Sequence, residues 1–194
     1  MIVELEENIA FVDSQNLHFG TTKCNFCALK NNILYSDIKK QDCVCGFAWN
    51  IDLERFKVYL FEKYNITKIY YFMGYFLEKN SELYNKLRIS GYVLVFKEHL
   101  FQSKSNKKGN VDVDIVYEVL KNVIENKHLK SVIIVSGDGD YFKLVNYLIN
   151  KRLFKKILFP NKKYASSLYK KLGSEFFDYM ENIKNIIATN EKGS

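Results

Sequence analysis

Short apolar runs alternate along the chain with longer stretches of helical periodicity. Asn8–Asp13 is an apolar run ending in a carboxylate, the pattern of a buried strand. Ile66–Met73, Tyr92–Phe96, Ser131–Val135 and Lys156–Phe159 are rich in β-branched and aromatic residues and predict four more strands, the last stopped by Pro160. Leu53, Phe56, Leu60 and Tyr64 recur at helical spacing behind Asp52, which can cap the free N–H groups of a helix. Ser81–Ser90 reads as a helix ended by Gly91 in a left-handed conformation. Val111–Asn126 predicts a helix with Val113, Val116, Tyr117, Leu120, Val123 and Ile124 on one side. Asp140–Asn150 predicts another through Phe142, Val145, Leu148 and Ile149, and two short helices near 164–172 and 174–187 close the chain. The polar, Lys-rich stretch from Glu98 to Asn110 has no periodicity and reads as a loop.

Strands separated by such helices predict βαβ units. The expected fold is α/β: a three-layer α/β/α sandwich around a central, mostly parallel sheet. Its 194 residues suit one domain, 1–194. Residues 21–50 break the rhythm, hold all four cysteines and the only tryptophan, Trp49, and read as a small insertion. No apolar run approaches the ~18 to 20 residues of a membrane helix, so no membrane partner is expected. The acidic start lacks the basic region of a signal peptide, and a cytoplasmic location is expected.

In open parallel sheets, ligands gather beyond the C-terminal ends of the strands. Asp13 ends the first strand, and Asp138 and Asp140 follow directly on Ser131–Val135. Asp112 and Asp114 open the helix at 111–126, beside a loop that follows another strand. Carboxylates brought within ~4 to 6 Å repel and are forced to protonate unless a cation neutralises them. An oxygen-only set suits Mg²⁺ or Mn²⁺, which can activate water and stabilise the leaving oxygen of a phosphodiester. Gly137 and Gly139 are expected to let the backbone turn sharply and approach a substrate. Singly, Asp112, Asp138 and Asp140 fit helix caps as well, and Asp114 with Glu118 fits a solvated face.

Net charge is +7, and residues 104–194 carry all of it, with 17 basic and 10 acidic side chains. Residues 141–174 hold nine Lys/Arg and no acid. This one-sidedness points to a nucleic-acid partner, against the alternative of a Lys-rich solubilising surface. Lys104, Lys107, Lys108, Lys143, Lys151, Arg152, Lys162 and Lys163 are candidates to hold phosphates, and exposed tyrosines to stack on unpaired bases. The three histidines, His18, His99 and His128, are isolated. Neither a G-x-S-x-G elbow nor a G-x-x-x-x-G-K-[ST] loop is present, which disfavours a serine hydrolase and a P-loop NTPase.

The cysteines form two close pairs, Cys24 with Cys27 and Cys43 with Cys45. Four soft ligands in two pairs suit a closed, structural zinc site, with Gly46 allowing the turn behind the second pair. The single residue between Cys43 and Cys45 is tighter than the common spacing, and four free thiols are the alternative.

Three of these segments resemble a known family. Ile9–Leu17 resembles the opening strand motif of the NYN domain in its bacterial LabA-like branch. Lys108-Gly109 followed by Val111-Asp112-Val113-Asp114 resembles the central motif, and Ile133–Val145 the family's best-known motif. The order is the same, and the resemblance covers about residues 8 to 180 apart from the cysteine insertion. NYN domains are similar to PIN domains, so the resemblance implies a three-layer fold and a metal-dependent endoribonuclease site. It implies Asp13, Asp112, Asp138 and Asp140 as ligands of Mg²⁺ or Mn²⁺, with Asn16 and Ser136 as polar supports. An acidic residue common in the closing motif falls near Ser174 here, with Glu175 beside it. Lys143 stands where a small residue or proline is common, and the cysteine insertion is not a general family feature. The leading expectation is cleavage of single-stranded or structured RNA. The alternatives are a non-catalytic RNA- or protein-binding module with a residual acidic site, and a nuclease for a DNA structure. Self-association into a homo-oligomer is compatible with each of these readings.

Overall fold

The computed structural model describes residues 6–97 and 111–190. The predicted strands are present: β1 (Glu7–Asp13) leads through helices α1 (Ser14–Thr22), α2 (Asn25–Lys30) and α3 (Leu53–Tyr64) to β2 (Ile66–Met73). Then come α4 (Ser81–Ile89), β3 (Tyr92–Phe96), α5 (Val111–Glu125), β4 (Leu129–Val135), α6 (Phe142–Asn150) and β5 (Phe154–Phe159). A short strand β6 (Phe177–Tyr179) and a last turn of helix α7 (Lys184–Ile187) follow. All six strands are parallel, in the order β3-β2-β1-β4-β5-β6. The chain winds outward in one direction from β1 and then in the other from β4. The order therefore reverses between β1 and β4, where open α/β sheets place their ligands.

Side chains alternate across the central strands, as the twofold repeat of a strand requires. Ala10 and Val12 of β1, Tyr71 of β2 and Ile133 and Val135 of β4 face one core with Leu17, Phe56, Leu60 and Ile187. Ile9 and Phe11, Tyr70 and Phe72, and Val132 and Ile134 face the other with Ile115, Val119, Tyr141 and Val145. The sheet is thus covered on both faces, which is the three-layer α/β/α arrangement. Asp52 caps α3 by accepting from the backbone N–H groups of Glu54 and Arg55, each at 3.1 Å. Gly91 takes φ +87° after α4, as its position predicts.

The structure adds one helix and corrects several expectations. Residues 14–22 form α1, though Gly20 and two threonines leave them no amphipathic stripe; Asp13 caps the helix and Leu17 anchors it in the core. A Cβ on Gly20 would lie 2.5 Å from Pro160 Cβ, so the glycine lets α1 pack against the end of β5. The closing segment is not two helices: it is a series of 3-10 turns around β6, ended by the single α-helical turn α7. Phe177 and Tyr179 pair with Ile157 and Phe159, and both rings pack on Phe159 at 5.7 and 5.6 Å. A three-residue strand is too short to carry a periodic signature. In α5 the buried stripe is Ile115, Val119 and Asn122, whereas Val113, Tyr117 and Ile124 are exposed. Trp49 packs into the main core, and α1 extends to Thr22. The part that stands apart is 23–47, with its own small core of Cys24, Cys27, Ala28 and Ile38, flanked by Cys43 and Phe47.

Candidate active site

The sheet register brings the acidic residues together. Asp13 continues the parity of Ile9 and Phe11, and Ser136 that of Val132 and Ile134, so both lean toward the face covered by α5 and α6. Val12 pairs with Val135, so the next residues, Asp13 and Ser136, leave the sheet side by side. On α5, Asp112 precedes Ile115 and Val119 by three and seven positions, and therefore heads the buried stripe. Oxygens of Asp112, Asp138 and Asp140 lie within 4.8 Å of one another. Asp114 is two residues on from Asp112, about 200° round the helix, and lies outside this triad.

Tyr141 links the triad to Asp13. Its ring is fully buried, and its hydroxyl lies 2.6 Å from Asp112 Oδ1 and 3.3 Å from Asp13 Oδ2, placed to donate to either carboxylate. Burial, reinforced by the charge of Asp13, pushes this phenol far above its ordinary range, so it remains a donor. Nothing in the sequence pattern singles Tyr141 out from the 14 tyrosines. Its only signal is its place directly after Asp140, in the turn that follows β4.

That turn is held from several sides. Asn16 Oδ1 accepts from Gly137 N–H at 2.8 Å, and Ser136 Oγ accepts from Asp138 N–H at 3.1 Å. Asp138 Oδ1 accepts from Asp140 N–H at 3.0 Å and so caps the 3-10 turn Gly139–Tyr141. Asp138 is therefore both a cap and a member of the triad; the two readings of this residue coexist. Tyr169 donates its hydroxyl to the Asp138 carbonyl at 2.6 Å. Neither Gly137 nor Gly139 has a positive φ, so the expected sharp turn is not their role. Gly139 serves close packing instead, since a Cβ there would lie 2.5 Å from Ser166 Oγ.

Asp13 is 6% exposed and caps α1 through Oδ1, which accepts from Asn16 N–H at 3.0 Å. Burial pushes its carboxyl up to about 6; Asp112 and Asp138 add to this, while the Asn16 N–H and the Tyr141 hydroxyl oppose it. Asp13, Asp112 and Asp138 open onto a cleft of about 480 Å³, also lined by Gln15, Asn16, Phe19, Gly74, Tyr75, Lys97 and Val111. Lys97, not singled out in the sequence, sits with its ammonium 5.0 Å from the Tyr75 ring centre.

The basic candidates scatter. Lys104, Lys107 and Lys108 lie outside the described residues, as does Gly109 of the central motif. Lys143 is exposed on the first turn of α6, three residues after Asp140. Arg152 does not join the site. It precedes β5 and lines a separate cavity with Asn8, Asn65, Lys130 and Lys155, at the opposite edge of the sheet. Basic charge near the triad in sequence is thus divided between two ends of the strands, because α6 carries the chain from one to the other.

The four cysteines also meet. Their sulfurs lie within 4.8 Å of one another, with Cys45 Sγ 3.4 Å from Cys24 Sγ and 3.5 Å from Cys43 Sγ. None of the four forms a disulfide. Burial pushes Cys24 up to about 12. Burial also acts to raise Cys43, but the Ala48 N–H and the neighbouring thiols outweigh it and bring Cys43 down to about 7. Gly46 has φ +72° and makes the turn after the second pair.

Two consequences can be measured. Asp13 takes up a proton on folding between about pH 4 and 6, so its charge costs stability above that window, up to roughly 3 kcal/mol. Asparagine keeps the cap without the charge. Asp13→Asn is therefore expected to raise the melting temperature of protein freed of Mg²⁺ and Mn²⁺ at pH 8, and to do so far less at pH 4. An equal shift at both values would contradict this. Tyr141→Phe removes the hydroxyl that serves the buried Asp13 and half-buried Asp112 carboxylates and is expected to cost about 1 to 3 kcal/mol in chemical denaturation. Unchanged stability would mean that the hydroxyl does not hold them.

Residues 9–180 match the sequence model of the NYN domain family. No curated protein matches the chain. Among solved structures, it is similar to a protein of unknown function from Vibrio parahaemolyticus, with a TM-score of 0.59. The two are 18% identical over 97% of this chain and 99% of that one, a likeness of fold. With the family's model matched from β1 to the segment after β6, this chain belongs to the NYN domain family.

Proposed function

We propose that the chain is a metal-dependent endoribonuclease of the LabA-like branch, hydrolysing RNA phosphodiester bonds with Mg²⁺ or Mn²⁺. The NYN family points to the PIN-like nucleases, and hence to hydrolysis of nucleic acid in general. The observation that carries the finer reading is the meeting of Asp112, Asp138 and Asp140 within 4.8 Å, with Asp13 behind them. Among the described residues no Lys or Arg forms an ion pair with these carboxylates. Their repulsion is relieved by a cation, and a donor set made only of oxygen fits a hard divalent ion.

Asp112, Asp138 and Asp140 would hold the ion, with Asp13 the fourth acidic member of the cluster. When bound, such an ion supplies a Lewis acid for phosphoryl oxygen and lowers the pKa of water at the site. The chain's own residues set the geometry. Tyr141 fixes the Asp112 and Asp13 carboxylates, and the Asn16 and Ser136 side chains hold the turn that presents Asp138 and Asp140. Lys97 stands in the cleft, and Lys143 on the adjacent helix end, to meet the phosphate backbone.

Asp138→Asn is expected to lower cleavage of single-stranded RNA with Mn²⁺ on the order of a hundred-fold, and chelation to abolish it in wild type. Equal cleavage by wild type and variant, with and without chelator, would refute this reading. RNA binding without cleavage under any metal would favour the regulatory-module alternative.

The cysteine cluster we assign to structural zinc. The core of 23–47 contains four buried residues, too few to order such a segment alone, and a metal supplies the missing stability. Four sulfurs leave no open coordination, so the ion would be structural. One zinc per chain is expected by elemental analysis, and none in the Cys24→Ser, Cys27→Ser double variant. Metal-free protein from zinc-replete growth would contradict it.

A further inference from the structure

A second cavity, of about 250 Å³, adjoins the acidic cleft and shares Asn16 and Phe19 with it. Its walls are Phe19 of α1, Tyr35 of the cysteine segment and Tyr164 of the loop after β5. Tyr35 meets Phe19 edge-on, with ring centres 6.5 Å apart, and Tyr164 at 5.8 Å. Three rings from three distant parts of the chain thus converge beside the triad. Tyr164 remains 39% exposed, so the slot is open to solvent.

Most polar side-chain atoms of the floor are already committed, the Asn16 Nδ2 amide apart. Asn161 Nδ2 donates to the Gly20 carbonyl at 3.0 Å, and Asn161 Oδ1 accepts from Lys163 N–H at 2.8 Å. Asn16 Oδ1 accepts from Gly137 N–H. Cations stand at the rim: Lys23 Nζ is 5.9 Å from the Phe19 ring centre, and Lys163 Nζ 6.0 Å from that of Tyr164. Aromatic faces flanked by ammonium groups, with one side-chain amide donor left on the floor, match the face of a nucleobase better than its edge.

We infer that this slot takes an unpaired nucleobase from the strand whose phosphodiester lies at the triad, and that the cysteine segment exists to deliver Tyr35 to it. The inference rests on the nuclease reading. A base inside a duplex is stacked on its neighbours and cannot enter, so the slot selects single strands. It selects them with little regard to sequence, because every base has a π face. The acid-free stretch 141–174 gains a function here, since it supplies Lys163 and Tyr164 together.

The test is fluorescence anisotropy with a labelled single-stranded RNA and a matching duplex, in Ca²⁺ to suppress turnover, alongside a cleavage assay in Mn²⁺. Tyr35→Ala and Tyr164→Ala are each expected to weaken single-strand binding about ten-fold. Both should leave duplex binding close to wild type, Tyr164→Ala should leave the melting temperature unchanged as well, and Tyr35→Phe should retain single-strand binding. A base-free ribose-phosphate oligomer should not distinguish wild type from Tyr164→Ala, an exposed position whose loss does not threaten folding. Wild-type cleavage with single-strand binding untouched in both alanine variants would overturn the slot alone. A wild type that neither binds nor cleaves RNA would overturn the nuclease reading, and the slot with it.

Discussion

Burial of one carboxylate, Asp13, beside others is the constraint on which the acidic site depends. Asp13 is almost wholly buried, and Asp112 and Asp138 stand close enough to push its carboxyl further up. The protein moderates this charge with what the fold already has. The first turns of α1 and α5 present helix N-termini, where negative charge is favoured. Backbone N–H groups of Asn16 and Asp140 donate to Asp13 and Asp138. The Tyr141 hydroxyl then ties the two sides together. None of these supplies a full positive charge, and that remainder is the strongest physical argument for a divalent ion.

Much of this was legible in the sequence, for physical reasons that differ by residue. Ile66–Met73 and Tyr92–Phe96 are rich in β-branched and aromatic residues, and their strand limits are those expected. Asp13 and Asp138 were findable because a carboxylate at the end of an apolar run must leave the sheet at its C-terminal edge. Tyr141 was not, because burial of a hydroxyl between two acids is a tertiary fact with no periodic trace. The helix α1 was hidden for a similar reason: its stability comes from the Asp13 cap and the fit of Gly20 against Pro160, not from its own propensities. Arg152 shows the converse failure. Nearness in sequence placed it by the acids, but one helix is long enough to carry the chain to the other end of the sheet.

The cysteine segment changes its meaning once seen in place. In the sequence it is an interruption with four candidate zinc ligands. In the fold it lies against α1 and the loop after β5, and its Tyr35 packs between Phe19 and Tyr164. The four sulfurs, within 4.8 Å of one another, gather this element beside the acidic cleft, where its Tyr35 adds a wall that the sheet and its helices do not supply.

The central claim is that the converging carboxylates of Asp112, Asp138 and Asp140, with Asp13 buried behind them, exist to hold a divalent ion. Anomalous diffraction at the manganese edge, on crystals of the wild-type protein soaked in Mn²⁺, addresses it directly. The account predicts a peak within ligand distance of Asp112, Asp138 and Asp140, lost in crystals of Asp138→Asn. Well-ordered carboxylates with no peak among them at saturating Mn²⁺ would contradict it.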